Sequence, residues 1–332
     1  MSDSSKPTIN HYTINDFKFQ DGTILPEVQL AYLDLNPAAS KVALIPTCFR
    51  GRLQSTLNFS DGVLKDYRII VVALFGNGES SSPSNTAGFP KSIEYRDCVR
   101  AQHALLTQHL GIQGVEVAIG FSMGGQCVYH WLGLYPDFVQ NAVLICTSAK
   151  TSRHNYQFLE GPRAALENSV DYTDESLRLK SGGTPRGIKA FGKAYSAWLT
   201  SSEWFDKELY TELGYKTLEA WDADATGKGY DGWWADDLLV MLRMWQRGDV
   251  GVFGNSLEEV LSGMKTPVLL MPCETDQYFD WRVNDKEARL LGYATLAVIP
   301  SVWGHLAGSG ASAEDTRWMG ENITSFLGSE KS

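Results

Sequence analysis

The residues best suited to chemistry lie in Val115 to Tyr129, VEVAIGFSMGGQCVY. An apolar run, Val115 to Ile119, predicts a buried strand, and a helical pattern runs from Gln126 to Leu134. Between them stands Gly120-Phe121-Ser122-Met123-Gly124, a G-x-S-x-G sequence in a strand–turn–helix setting. Such a turn strains the serine backbone, and side chains at Gly120 or Gly124 would collide with the neighbouring strand or helix. A hydroxyl presented there sits at a helix N-terminus, where amide groups favour developing negative charge.

A serine hydroxyl becomes a useful nucleophile only when a base takes its proton and a third group orients that base. The chain has six histidines. His305 follows the last strand pattern, Leu296 to Pro300, in a loop at the edge where the serine is expected. His103, His109 and His130 fall in helical patterns, and His11 and His154 have no strand-end context. The acid should follow the preceding strand, Val268 to Pro272, where Cys273-Glu274-Thr275-Asp276 offers two carboxylates. Asp276 is the expected partner because it lies beyond the strand end, with Glu274 as the alternative. An oxyanion would need two N–H donors, from Met123 and from the loop Pro46 to Gly51. In that loop Phe49 is the candidate and Cys48 the second choice. Cys48 as a nucleophile is the weaker reading, since Ser122 already has partners.

The elements that would position these groups alternate. Strands are expected at Asp16 to Phe19, Glu27 to Leu33, Val42 to Ile45, Tyr67 to Leu74 and Ala142 to Cys146, with a helix from about Ile93 to Leu110. The pattern breaks after Thr147 and resumes at Val268, with a helix near Val283 to Leu291 and another from Ala313 to Leu327. The segment between looks helical, best at Asp236 to Gln246, and holds six of the ten tryptophans. Ser181 to Gly187 and Asp222 to Gly232 read as loops. This implies an α/β fold with a mostly parallel sheet built from 1–150 and 265–332, interrupted by a helical lid over 151–264. Ligands of open α/β sheets bind at the C-terminal strand edge, where the lid would lie.

At 332 residues, 43% hydrophobic and 20% charged, the composition is that of a globular protein. A net charge of −10 without a Lys/Arg cluster argues against nucleic acid as a partner. The polar start lacks the apolar core of a secretory signal, and no run approaches the length of a spanning helix, so no membrane partner and a cytoplasmic location are expected. Five scattered cysteines suggest reduced thiols, and neither metal-ligand spacing nor a nucleotide fingerprint is present.

These motifs together, GFSMGGQCVYHWLGLYPD, Phe75-Gly76-Asn77-Gly78-Glu79, TSRHNYQFLEGPRAAL, ADDLLVMLRMWQRGD, ETDQYF and WGHLAG, resemble the homoserine O-acetyltransferase family of α/β-hydrolases from about Ala31 to Phe326. The resemblance implies that Ser122, Asp276 and His305 form a triad. It also aligns Arg163 with a lid arginine that holds a substrate carboxylate, against the plainer reading of a helix-surface ion pair. One departure matters: where those acetyltransferases follow the histidine with an amine-binding aspartate, this chain has Leu306. An apolar residue cannot hold an ammonium group. Arg50 also replaces a small or polar loop residue and, with Cys48, would border the substrate. The expected activity is therefore hydrolysis of a small acyl ester, with no cofactor. The alternatives are acyl transfer from acyl-CoA as co-substrate to a non-homoserine acceptor, and a ligand-binding role without catalysis. The resemblance also suggests a homodimer.

Overall fold

A computed structural model describes residues 6–180 and 183–328. Residues 1–5 of the polar start, and Ser181, where a loop is expected to begin, lie outside them. Eight strands form one sheet: β1 (Asn10–Lys18), β2 (Ile24–Leu35), β3 (Val42–Pro46), β4 (Arg68–Val72), β5 (Val117–Phe121), β6 (Ala142–Ile145), β7 (Val268–Met271) and β8 (Ala294–Leu296). Their order is β1-β2-β4-β3-β5-β6-β7-β8. From β4 to β8 neighbours run parallel, and β1 and β2 join antiparallel at one edge. All four residues of VLLM in β7 are buried, as a strand covered on both faces requires. Alternate residues feed opposite cores. Ile70 and Val72 of β4 pack into one cluster and Ile69 and Val71 into the other.

The first face is covered by α1 (Tyr95–Ala104) and α2 (Met123–Leu134), the second by the helix Ala313–Gly328 through Met319 and Ile323. Between β6 and β7 the described residues form no strand beyond an isolated bridge, Lys150 to Asp249. They form helices instead, chiefly α3 (Arg153–Glu167), Pro185–Ser196, Leu218–Thr226 and Ala235–Gln246. Two expected loops are corrected here. Pro185 opens a helix, where a missing N–H costs nothing because first-turn donors lack intrahelical partners anyway. Asp222 to Thr226 finishes one, ahead of Gly227. The last strand is also displaced: β8 is Ala294–Leu296, and Ile299 makes only a bridge to Cys273. The first helix ends at Ala104 and runs on as a wider turn to His109. No described helix is long and apolar enough to cross a membrane.

The chain leaves the sheet for the insertion at a buried polar knot. The Glu287 carboxylate accepts from the Ala149 amide, the Tyr129 hydroxyl and the Asn284 amide, each at 2.8 Å. Burial pushes this carboxyl up to about 7, against those three donors, which favour the anion. An unfolded glutamate ionises near 4.5. The folded state therefore holds the proton over a window in which the unfolded state has lost it. The stability contributed by Glu287 is full below that lower value and disappears as pH rises through about 7. Thermal melts between pH 5 and 8 should show wild type losing melting temperature more steeply than Glu287→Gln. Parallel curves would rule this out.

Candidate active site

β5 ends at Phe121 and α2 begins at Met123, so Ser122 alone makes the turn. Its φ of 55° and ψ of −126° lie where L side chains are strained. Close packing enforces that backbone. A Cβ on Gly120 would sit 2.4 Å from the Gly124 carbonyl oxygen, one on Gly124 2.6 Å from that of Pro46, and one on Gly125 2.4 Å from Thr147 Cγ2. The Ser122 amide donates to Ile145 O at 2.9 Å and its carbonyl accepts from Thr147 Oγ1 at 2.8 Å. The turn is thereby tied to the end of β6.

The loops after β7 and β8 bring the other two groups to this point. His305 Nε2 lies 2.9 Å from Ser122 Oγ, and His305 Nδ1 lies 2.7 Å from Asp276 Oδ2. The other oxygen of Asp276 accepts from the amides of Tyr278 at 2.7 Å and Phe279 at 3.2 Å. With the carboxylate so fixed, Nδ1 carries the proton as donor to Asp276, leaving Nε2 to accept from the serine hydroxyl. The rings of Phe121, Tyr278 and Phe279, centred 4.7, 4.8 and 5.7 Å away, hold the imidazole. All three polar groups are buried. Glu274, the alternative acid, is exposed. The remaining candidate histidines lie elsewhere: His103 stacks on Tyr135, His109 on Tyr12, and His154 packs against Trp198. His130 bonds the Gln126 carbonyl, and burial pushes it down to about 4.

Above the serine is a cavity of about 360 Å³. Ile45, Phe49, Phe121, Tyr195, Leu199 and Leu306 supply much of its apolar wall, with Cys48 and Arg50 beside them. Among the described residues nothing accepts from the Phe49 amide. Met123 is fully buried, and its amide, first in α2, belongs to the donors a helix leaves without internal partners. Burial pushes the Cys48 thiol up to about 11. The structure corrects the placement of Arg163, which does not line this cavity: its guanidinium is held on α3 by Glu160 at 2.7 Å and Glu167 at 3.2 Å. Helix spacing of i−3 and i+4 places both carboxylates beside it.

Sequence reasoning did not anticipate Tyr195 and Leu199 in the wall. They come from the insertion, whose helices carry no spacing that tells a cavity side from a core side. Asn58 also lines the cavity and donates to Ser309 O at 2.5 Å. Cys146 brings a sulfur within 4.8 Å of the nearest ligand atoms of Asp276 and His305. Two of those three groups are already joined by their own hydrogen bond, and burial raises the Cys146 thiol well above its ordinary value.

The parallel sheet, the strained serine turn and the helical insertion define an α/β hydrolase. Residues 43–307 match the family described as alpha/beta hydrolase fold, and the chain belongs to it. The chain is 30% identical over 332 residues to an ethyl acetate hydrolase from Pseudomonas veronii, covering 95% of this chain and 94% of that protein. It superposes on the acetyl esterase MekB with a TM-score of 0.91 at 28% identity, over 97% of each chain. It is also 25% identical over 314 residues to a homoserine O-acetyltransferase from Trichormus variabilis, covering 87% and 86%. It is an esterase-like enzyme of this family.

The packing around the turn sets an expectation. Gly124→Ala should lose about 1–3 kcal/mol through forced displacement of Pro46, read as a lowered midpoint in urea. The Cys48 result should differ. A thiol pushed up to about 11 is neutral at pH 7, so Cys48→Ser should leave ester turnover within a few-fold of wild type. A collapse in rate with an intact fold would contradict this.

Proposed function

We propose that the protein hydrolyses small, neutral acyl esters through a covalent acyl-enzyme. The observation that carries this reading is the unbroken hydrogen-bonded line from Ser122 through His305 to Asp276 beneath an apolar cavity. Ser122 Oγ attacks the ester carbonyl while His305 Nε2 takes its proton, and Asp276 stabilises the resulting imidazolium. The carbonyl oxygen, now an anion, is bound by the amides of Phe49 and Met123. The intermediate collapses, the C–O bond to the alcohol breaks, and the departing oxygen receives the proton from His305. A water then gives its proton to His305 and attacks the acyl carbon. The acid leaves and Ser122 recovers its hydrogen. The reaction as written requires no cofactor.

The cavity wall supports a neutral substrate. Besides His305, Arg50 is the one basic side chain among its described lining residues, and one of its Nη atoms bonds the Gly229 carbonyl while its face covers the Tyr230 ring. The names of the ethyl acetate hydrolase and acetyl esterase relatives support a short acyl group. Hydrolysis is preferred over transfer to an amino-acid acceptor because Leu306, beside His305, gives the wall an apolar surface where an ammonium group would need a carboxylate. Arg163, which lies outside the cavity lining and is paired with two carboxylates of its own helix, gives no support to an acceptor carboxylate there.

A p-nitrophenyl ester series from acetate to octanoate tests the reading. Wild type should turn over the short esters without added thiol ester. Ser122→Ala should reduce kcat about ten-thousand-fold or more. Arg163→Ala should leave kcat/KM within about twofold, as expected for a surface ion pair. Product that forms only when an acyl-CoA and an acceptor are both supplied would replace hydrolysis with transfer. Failure with every ester and thioester would leave only ligand binding.

A further inference from the structure

The loop Thr47 to Arg52 carries the Phe49 amide, and little within the loop itself holds it. Its Thr47 amide bonds Val72 O at 2.9 Å and Gly51 closes back on Cys48 O at 3.0 Å. Arg50 sits at a φ of 57°, a left-handed conformation that a long side chain adopts only when its surroundings impose it. Two arginines, two residues apart, leave this loop for the same stretch of the insertion, Gly229 to Trp233. Arg50 donates from Nη2 to the Gly229 carbonyl at 2.7 Å and lies 3.8 Å from the centre of the Tyr230 ring. Arg52 repeats the arrangement, with Nη2 donating to Gly232 O at 3.2 Å and the guanidinium 3.8 Å from the centre of the Trp233 ring.

Both rings are buried, at 3% exposure for Tyr230 and 7% for Trp233. The glycines between them fit the contact: a Cβ on Gly229 would lie 2.9 Å from Arg50 Nη2, and Gly232 turns at a φ of 76°. From beneath, the loop after β4 completes the grip. Arg52 Nη1 donates to Asn77 O, Asn77 Nδ2 donates to Gly51 O at 3.3 Å, and Glu79 accepts from the Leu53 amide at 2.9 Å. Asn77 is fully buried. The Phe49 amide thus stands in a loop clamped between the sheet edge and the lid.

We infer that Arg50 and Arg52 are positioning residues, which through Tyr230 and Trp233 hold the Phe49 amide where it receives the developing oxyanion. This rests on the esterase reading above. It extends that reading by making the lid segment 229–233 part of the apparatus that stabilises the transition state. One Nη and one face of Arg50 are thereby committed to the lid, while its buried Nε has no hydrogen-bond partner among the described residues.

The consequence is a split between kcat and KM, since a misplaced donor weakens the transition state more than the neutral ester. Arg50→Ala and Tyr230→Leu should each lower kcat on p-nitrophenyl acetate about tenfold or more, with KM within about twofold. Affinity for an aryl trifluoromethyl ketone, which forms a tetrahedral adduct, should weaken in step with kcat/KM. Tyr230→Phe, which keeps the ring, should restore wild-type values, and Arg50→Lys, which keeps a cation, should recover part of the loss. Arg50→Ala combined with Tyr230→Leu should be little worse than either alone. Folded variants with unchanged kcat and inhibitor affinity would overturn the inference. Hydrogen exchange of the peptide spanning residues 47–55 supplies a readout independent of turnover. It should rise in Tyr230→Leu and in Trp233→Leu, and unchanged protection in both overturns the clamp whatever the activity. Wild-type protein that neither cleaves esters nor is labelled at Ser122 by a fluorophosphonate would instead remove the esterase reading, while the exchange data still judge the clamp.

Discussion

The whole site depends on one strained residue. Ser122 occupies a backbone conformation that it would leave if the chain around it had room, and the room is denied mainly by backbone, with the Thr147 side chain against Gly125. Gly120 meets the carbonyl of Gly124, and Gly124 meets the carbonyl of Pro46. Backbone cannot swing aside as a flexible side chain can, so the strain is held by the sheet itself. The same contact fixes the start of the loop that carries Phe49, because Pro46 ends β3 and Thr47 follows it. Ser122 and one wall of the cavity beside it are therefore set by a single close approach between α2 and β3.

Parallel topology does the rest of the assembly. Since β5, β7 and β8 point the same way, the loops after them open on one edge, and Ser122, Asp276 and His305 meet although 183 residues separate the first from the last. The imidazole is then held by three aromatic rings and by a carboxylate whose second oxygen is taken by two amides. A ring so confined would give up little further freedom in the proton transfer proposed for it, which is the preorganisation a weak nucleophile needs.

How much of this is legible in the sequence follows from the range of each interaction. The Ser122 turn is local, so glycine spacing and flanking patterns reveal it. The order of strands and the loop beyond each one single out His305 and Asp276, because topology decides their meeting more than any detail of packing. The insertion is less readable. Pro185 marks a helix start as readily as a loop, and the sequence carries no sign that Tyr195 and Leu199 face the cavity. Arg163 shows the same limit from the other side. Its type and lid position suit a carboxylate, yet the nearest carboxylates are its own helix neighbours at i−3 and i+4. Arg50 and Arg52 look like an odd basic pair in an acidic chain until the rings they cover are known.

Those two arginines also bear on how the cavity discriminates among ligands. A guanidinium open to a mostly apolar pocket would attract anions and keep water in place to solvate it. Although its buried Nε has no hydrogen-bond partner among the described residues, the Arg50 guanidinium is drawn toward the lid, with one face on a ring and one Nη bonded to a carbonyl. Leu306 acts in the same sense next to the imidazole. On the proposed reading, an apolar wall strengthens the polar interactions among the serine, the histidine and the two proposed amide donors, because less solvent competes for them. How much charge the cavity presents thus follows from where each guanidinium is held more than from how many the sequence contains.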